Sequence, residues 1–114
     1  MKVLHVCETV KGGVGSYLNE LIPAQERDMG LKNIKLLVPA SHAEFLDQVN
    51  ASSIRTFHRA SRKAGLLKLA TSYIKKMREE RPDIVHAHST FAGLIVRTLR
   101  PFFPRTPIIY CPHG

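Results

Sequence analysis

The sequence predicts an α/β fold, a Rossmann-like three-layer sandwich around a parallel sheet in the strand order 3-2-1-4-5. Two observations, apolar strand-like runs and segments of helical periodicity between them, predict the architecture. Short runs rich in β-branched and apolar residues alternate with segments of helical periodicity along all 114 residues. Such alternation implies right-handed βαβ crossovers and a sheet covered on both faces. A third observation points to the functional edge. A glycine-rich loop, Lys11-Gly-Gly-Val-Gly-Ser16, and the histidine-bearing strand 83–88 both reach the carboxyl ends of neighbouring strands, where the strand order reverses and ligands bind in such folds.

The elements follow in order. Residues 2–7 (Lys-Val-Leu-His-Val-Cys) read as a buried first strand. After the glycine loop, Ser16 is the expected N-cap of a helix whose core face carries Tyr17, Leu18, Leu21 and Ile22. Pro23 removes one backbone bond inside that helix and should kink it, and Gly30 should stop it. Residues 32–38 form the second strand, closed by Pro39, and 41–49 a short helix; 54–57 form a brief third strand. Leu66, Leu69, Ala70, Tyr73, Ile74 and Met77 mark an amphipathic helix that Arg81-Pro82 ends. The fourth strand is 83–88, a helix spans 91–99, and the fifth strand is 107–111.

The glycines of the loop allow close backbone approach to a ligand beside a helix N-terminus, which suits an anion such as a pyrophosphate. Read alone, the loop fits a tight turn as well. It is not the dinucleotide fingerprint, since the frame starting at Gly13 would need glycine where Leu18 stands, and Val38-Pro39 offers no acid for a ribose. No Gly-Lys-Ser/Thr follows, so it is not a Walker loop. His86 and His88 share one side of the fourth strand. Zinc would need at least a third ligand, and His42, His58 and His113 offer no recognisable spacing, so no metal is expected. His86 reads as a satisfied structural histidine and His88 as a polar group facing the cleft. His113, in Cys-Pro-His-Gly at 111–114, should reach the same rim.

The formal charge of +8 raises nucleic acid, an anionic membrane surface or phosphate-bearing ligands as partners. Nine of the 17 Lys and Arg fall between Arg55 and Arg81, against only Glu79 and Glu80. A solvated helix face is the plain reading of that stretch, and contact with anionic lipid the sharper one. The apolar run Val3–Cys7 is interrupted by His5 and is too short for a secretory signal core, and no run approaches the ~18 residues of a membrane span. The protein is expected in the cytoplasm, with peripheral contact at the inner face of the membrane. Strands 1 and 5, separated by strand 4, would keep Cys7 and Cys111 roughly 9–10 Å apart, too far for a disulfide.

Three pieces in this order and separation resemble glycosyltransferase family 4, which has the two-domain GT-B fold. They are a strand followed by Gly-Gly-Val-Gly-Ser-Tyr at 12–17, Arg-Pro-Asp-Ile-Val-His-Ala-His-Ser at 81–89, and Pro-Ile-Ile-Tyr-Cys-Pro-His-Gly at 107–114. The resemblance covers essentially the whole chain, although no single piece is specific. It implies a retaining transferase that moves a hexose from a nucleotide-sugar, UDP- or GDP-linked, to a lipid-linked or polysaccharide acceptor. No cofactor and no nucleic acid partner are expected.

Carried over by resemblance, the Gly13 amide would contact the donor diphosphate and Gly12 would let the loop pack close to the acceptor. His88 would hydrogen-bond the donor sugar and help stabilise the transition state, and His113 would join the diphosphate and acceptor site. One departure matters: the family's donor-binding domain carries two glutamates eight positions apart, and no such pair stands in these residues. Residues 1–114 are therefore expected to be part of the N-terminal, acceptor-side domain, without the C-terminal donor-binding domain. An inactive Rossmann-like binding or interaction module is the alternative for the chain by itself. Apolar surface at Ile108, Ile109 and Tyr110 would then favour self-association.

Overall fold

A computed structural model describes residues 1–10, 13–58 and 62–111. Five strands form one all-parallel sheet: β1 (Val3–Val6), β2 (Ile34–Pro39), β3 (Ile54–Phe57), β4 (Ile84–Ala87) and β5 (Ile108–Tyr110). Their order is β3-β2-β1-β4-β5, as the sequence predicts. The helices are α1 (Gly13–Met29), α2 (Arg62–Glu80) and α3 (Thr90–Thr98).

Period-two alternation divides the core into two clusters, because successive side chains on a strand point to opposite faces. From β1, Val3 and Cys7 join Ile34, Leu36 and Val38 of β2 beneath Val14, Leu18 and Ile22 of α1. Leu4 and Val6 face the other way, with Leu37, Val85 and Ala87, against Leu69, Tyr73 and Met77 of α2 and Ala92 and Val96 of α3. The sheet is thus sandwiched between α1 and the α2–α3 pair.

Helix boundaries carry the local logic. Gly30 closes α1 at φ 93°, a left-handed geometry that glycine adopts without a Cβ clash. Pro23 sits inside α1 without ending it. Ser89 caps α3, its Oγ accepting from Ala92 N at 3.2 Å. Arg81 turns to φ 47° just after α2, before Pro82.

Three expectations fail. Helix α1 begins at Gly13, three residues before Ser16, because the first turn itself packs: Val14 and Gly15 are buried. A Cβ at Gly15 would stand 2.5 Å from Val10 O, so only glycine fits against the incoming chain. Tyr17, expected in the core, is consequently 37% exposed. Residues 41–49 are not an α-helix; a 3₁₀ segment, Ala40–Phe45, follows β2 directly.

At the outer edge, β5 buries only part of its surface. Ile108 and Tyr110 pack on the α3 side, with the Arg97 guanidinium 4.4 Å above the Tyr110 ring, whereas Ile109 is 49% exposed. Cys7 and Cys111 are free thiols, as expected. Burial pushes the Cys7 thiol far above its ordinary range.

Candidate functional site at the carboxyl ends of β1 and β4

The centre of the sheet carries an unusual polar group on its α1 face. His5 of β1 lies directly opposite His86 of β4 in the parallel register, and His88 follows two positions later on the same face. The three rings gather closely, with centroids 5.2 Å apart for His5–His86, 5.0 Å for His5–His88 and 3.9 Å for His86–His88. His5 Nδ1 lies 2.8 Å from His88 Nε2, and His5 Nε2 lies 2.7 Å from Gln25 Oε1 of α1. Burial drives the His5 pKa down to about 4, against the hydrogen bond to Gln25, which raises it; His86 adds a further lowering. At neutral pH His5 is an uncharged ring.

His88 is placed differently from the expectation of a cleft-facing group. Its ring is fully buried, with Tyr17 of α1 tilted across it at 5.8 Å. The reason is topological: β1 and β4 are neighbours, and the amino end of α1 crosses over the carboxyl ends of both. His86 is half-buried within the ring cluster. His5 is the residue that sequence reasoning missed. Its signal was a histidine inside an otherwise apolar strand, legible only once β1 and β4 were known to pair in that register.

His5 also supplies the third imidazole that a metal reading lacked. The candidate ligand atoms of His5, His86 and His88 lie within 4.8 Å of one another. Two nitrogens on a tetrahedral zinc, each ~2.0–2.1 Å from the metal, stand about 3.3 Å apart. The 2.8 Å between His5 and His88 is hydrogen-bond length, so as arranged these rings bond to one another.

Four residues before Tyr17, Gly13 opens α1 and is exposed; a Cβ added there would meet nothing within 4 Å. As the first residue of the helix, its N–H is one of those without an intrahelical acceptor. Gly12 and His113 lie outside the described residues. The approach to the loop is braced by His42, which is buried: Val10 N donates to its Nδ1 at 3.3 Å, and Thr9 Oγ1 lies 3.4 Å from the same atom. Asn19 of α1 donates to Phe45 O at 2.8 Å and accepts from Gln48 N at 3.1 Å, fastening the 3₁₀ segment to the helix. Glu8 is buried at this edge too, its amide donating to Ser89 Oγ at 3.4 Å.

A cavity of about 560 Å³ lies at the opposite edge, lined by Met77, Arg78, Arg81, Pro82, Phe103 and Arg105 among others. It opens at the amino ends of β4 and β5, away from the switch point where α/β sheets bind ligands. The carboxyl edge, with its glycine-started helix and three imidazoles, is therefore the candidate site.

The sequence profile of Glycosyltransferase Family 4 matches residues 11–114. The chain belongs to glycosyltransferase family 4. A relative from Klebsiella pneumoniae, described as "Uncharacterized 41.2 kDa protein in cps region", is 33% identical over 118 aligned positions, covering 99% of this chain. The chain spans 31% of that relative's length. No solved structure matches it. For a family 4 domain, the arrangement couples a glycine-started helix to a buried imidazole cluster at one sheet edge. Among the described residues, no helix is long and apolar enough to cross a membrane.

Proposed function

We propose that this family 4 domain forms the acceptor-side part of a retaining glycosyltransferase that moves a hexose from a UDP- or GDP-sugar to a lipid-linked or polysaccharide acceptor. The observation that carries the reading is the amino end of α1, at Gly13, lying over the carboxyl ends of β1 and β4 with His88 just beneath Tyr17. A helix N-terminus offers unpaired N–H groups and a positive dipole end to the donor diphosphate. Gly13 leaves that approach open, because no side chain stands in the way.

His88, buried under the Tyr17 ring until that ring gives way to the entering donor, then acts on the sugar. Its imidazole hydrogen-bonds a hydroxyl of the donor hexose, and the contact strengthens as the bond to the diphosphate breaks and positive charge grows on the sugar ring. An interaction that is stronger in the transition state than in the ground state accelerates the transfer. The same reading gives Gly12 a role at the acceptor and His113 one at the diphosphate and acceptor site. The reaction takes place in the cytoplasm.

The test uses the whole protein that carries this chain, with UDP- and GDP-hexoses and a lipid or glycan acceptor. Transfer should release the nucleoside diphosphate, and the product should keep the donor's anomeric configuration. A product of inverted configuration, or no turnover with either donor class, would refute the reading.

A further inference from the structure

We infer that Gln25 and His5 form a polarised relay that fixes the tautomer of His88, making His88 an acceptor of hydrogen bonds at Nδ1. Its functional meaning rests on the proposed role of His88; its geometry does not. The relay begins on α1. Gln25 presents its carbonyl oxygen, an acceptor only, 2.7 Å from His5 Nε2. His5 Nε2 must therefore carry a proton and donate it to Gln25. An uncharged imidazole holds one N–H, so His5 Nδ1 is left with a lone pair. That lone pair faces His88 Nε2 at 2.8 Å, a contact that is satisfied only if His88 Nε2–H donates to it. In its uncharged form His88 then carries its lone pair at Nδ1, so whatever group meets that atom must donate to it.

The links matter because both rings are enclosed, with Gln25 half-buried beside His5. His5 and His88 are both fully buried, and His5 bridges α1 to β4. A buried hydrogen-bonding group left without a partner costs about 1–3 kcal/mol, so reversing one link would orphan its neighbours. Fixing a histidine's reacting nitrogen through the hydrogen bond made by its other nitrogen is a general device for setting tautomer and ring orientation.

The polarity decides the chemistry. Once the donor displaces the cover of Tyr17, an acceptor at His88 Nδ1 takes a hydrogen bond from a sugar hydroxyl. That hydroxyl becomes a better donor as positive charge develops on the sugar, so the bond tightens along the reaction coordinate. A donor tautomer would instead weaken as that charge grows. His5 and Gln25 touch no substrate in this scheme; they are positioning residues, and they act through His88.

Imidazole ¹⁵N spectroscopy on the labelled chain at pH 8 reads each tautomer directly, since the bare nitrogen resonates far downfield of the protonated one. His5 and His88 should both appear as Nε2–H tautomers. Gln25→Glu keeps an oxygen acceptor and should preserve both, whereas Gln25→Leu should convert them to a mixture. Wild-type His88 in the Nδ1–H form overturns the relay, because Gln25 would then be donating through its NH₂. Unchanged tautomers in a folded Gln25→Leu chain overturn it as well. If that variant does not fold, the wild-type and Gln25→Glu spectra still decide. No substrate enters this measurement, so a failed relay is seen here, and a failed assignment of His88 to transfer is seen in kinetics with the relay intact.

Discussion

The two faces of the sheet are built from the same strands and do opposite things. The face under α2 and α3 is dry: Leu4, Val6, Leu37, Val85 and Ala87 meet Leu69, Tyr73, Met77, Ala92 and Val96. The face under α1 is apolar toward β2 but holds three imidazoles and Gln25 where β1 meets β4. A single-residue alternation separates them, Leu4 and Val6 on one side and His5 on the other. Dry packing can be supplied by many apolar residues of similar volume. A hydrogen-bonded buried cluster must be satisfied at every link, which makes it costly to alter and suits it to hold one group in one orientation.

The largest expected effect falls on the dry face. Tyr73 is 1% exposed and edge-on to Phe103 at 6.0 Å, so Tyr73→Ala should cost about 3–5 kcal/mol of stability. Urea unfolding of the chain measures it. A loss under 1 kcal/mol would mean that α2 is not seated as described, and the contrast between faces would weaken.

The α1 face should instead show itself through pH. The unfolded chain protonates His5 near 6.5, but the fold resists that proton until about pH 4. The unfolded state therefore binds more protons across that window, and stability rises with pH. It is complete above 6.5 and lost as the pH falls towards 4, by about 2 kcal/mol between pH 7.5 and 5 from this group alone. Denaturant midpoints at both pH values test this, with His5→Leu as control. Equal acid sensitivity in the variant would locate the effect elsewhere.

Two glycines at the head of α1 sharpen the contrast between structure and site. Gly15→Ala drives a Cβ onto Val10 O and should cost about 1–3 kcal/mol, whereas Gly13→Ala should leave the melting temperature nearly unchanged. If both destabilise equally, Gly13 is a packing residue and its place in the site is lost.

The smallest effect concerns α2. Its apolar stripe is spent on the sheet, so any membrane contact must use the outer face, where Lys63, Lys68, Lys75 and Arg78 are exposed beside Leu67, itself 67% exposed. We propose that this face touches anionic lipid, each basic residue contributing about 1 kcal/mol near the surface. Co-sedimentation should favour anionic over neutral vesicles and fall with added salt; equal binding to both removes the idea.

Strand order, all five strands and α2 were legible because each rests on a periodic apolar pattern that packing rewards. The start of α1 was not, since Ser16 is a good cap by type, and only the tight fit of Gly15 against Val10 shows why the helix begins earlier. The histidine pair on β4 was legible, but its partner His5 lies over 80 positions away and becomes a neighbour only through the β1–β4 register. Burial of His88 was missed because it depends on the Tyr17 ring of α1 lying across the end of β4.

The most direct test is steady-state kinetics on His88→Ala and His86→Ala in the whole protein that carries this chain. His88→Ala should lower kcat on the order of 10²-fold or more with little change in donor KM, as the loss of one positioned transition-state contact does. His86→Ala should mainly reduce stability. Near wild-type kcat in His88→Ala, with activity abolished in His86→Ala, would contradict the assignment of the reacting histidine.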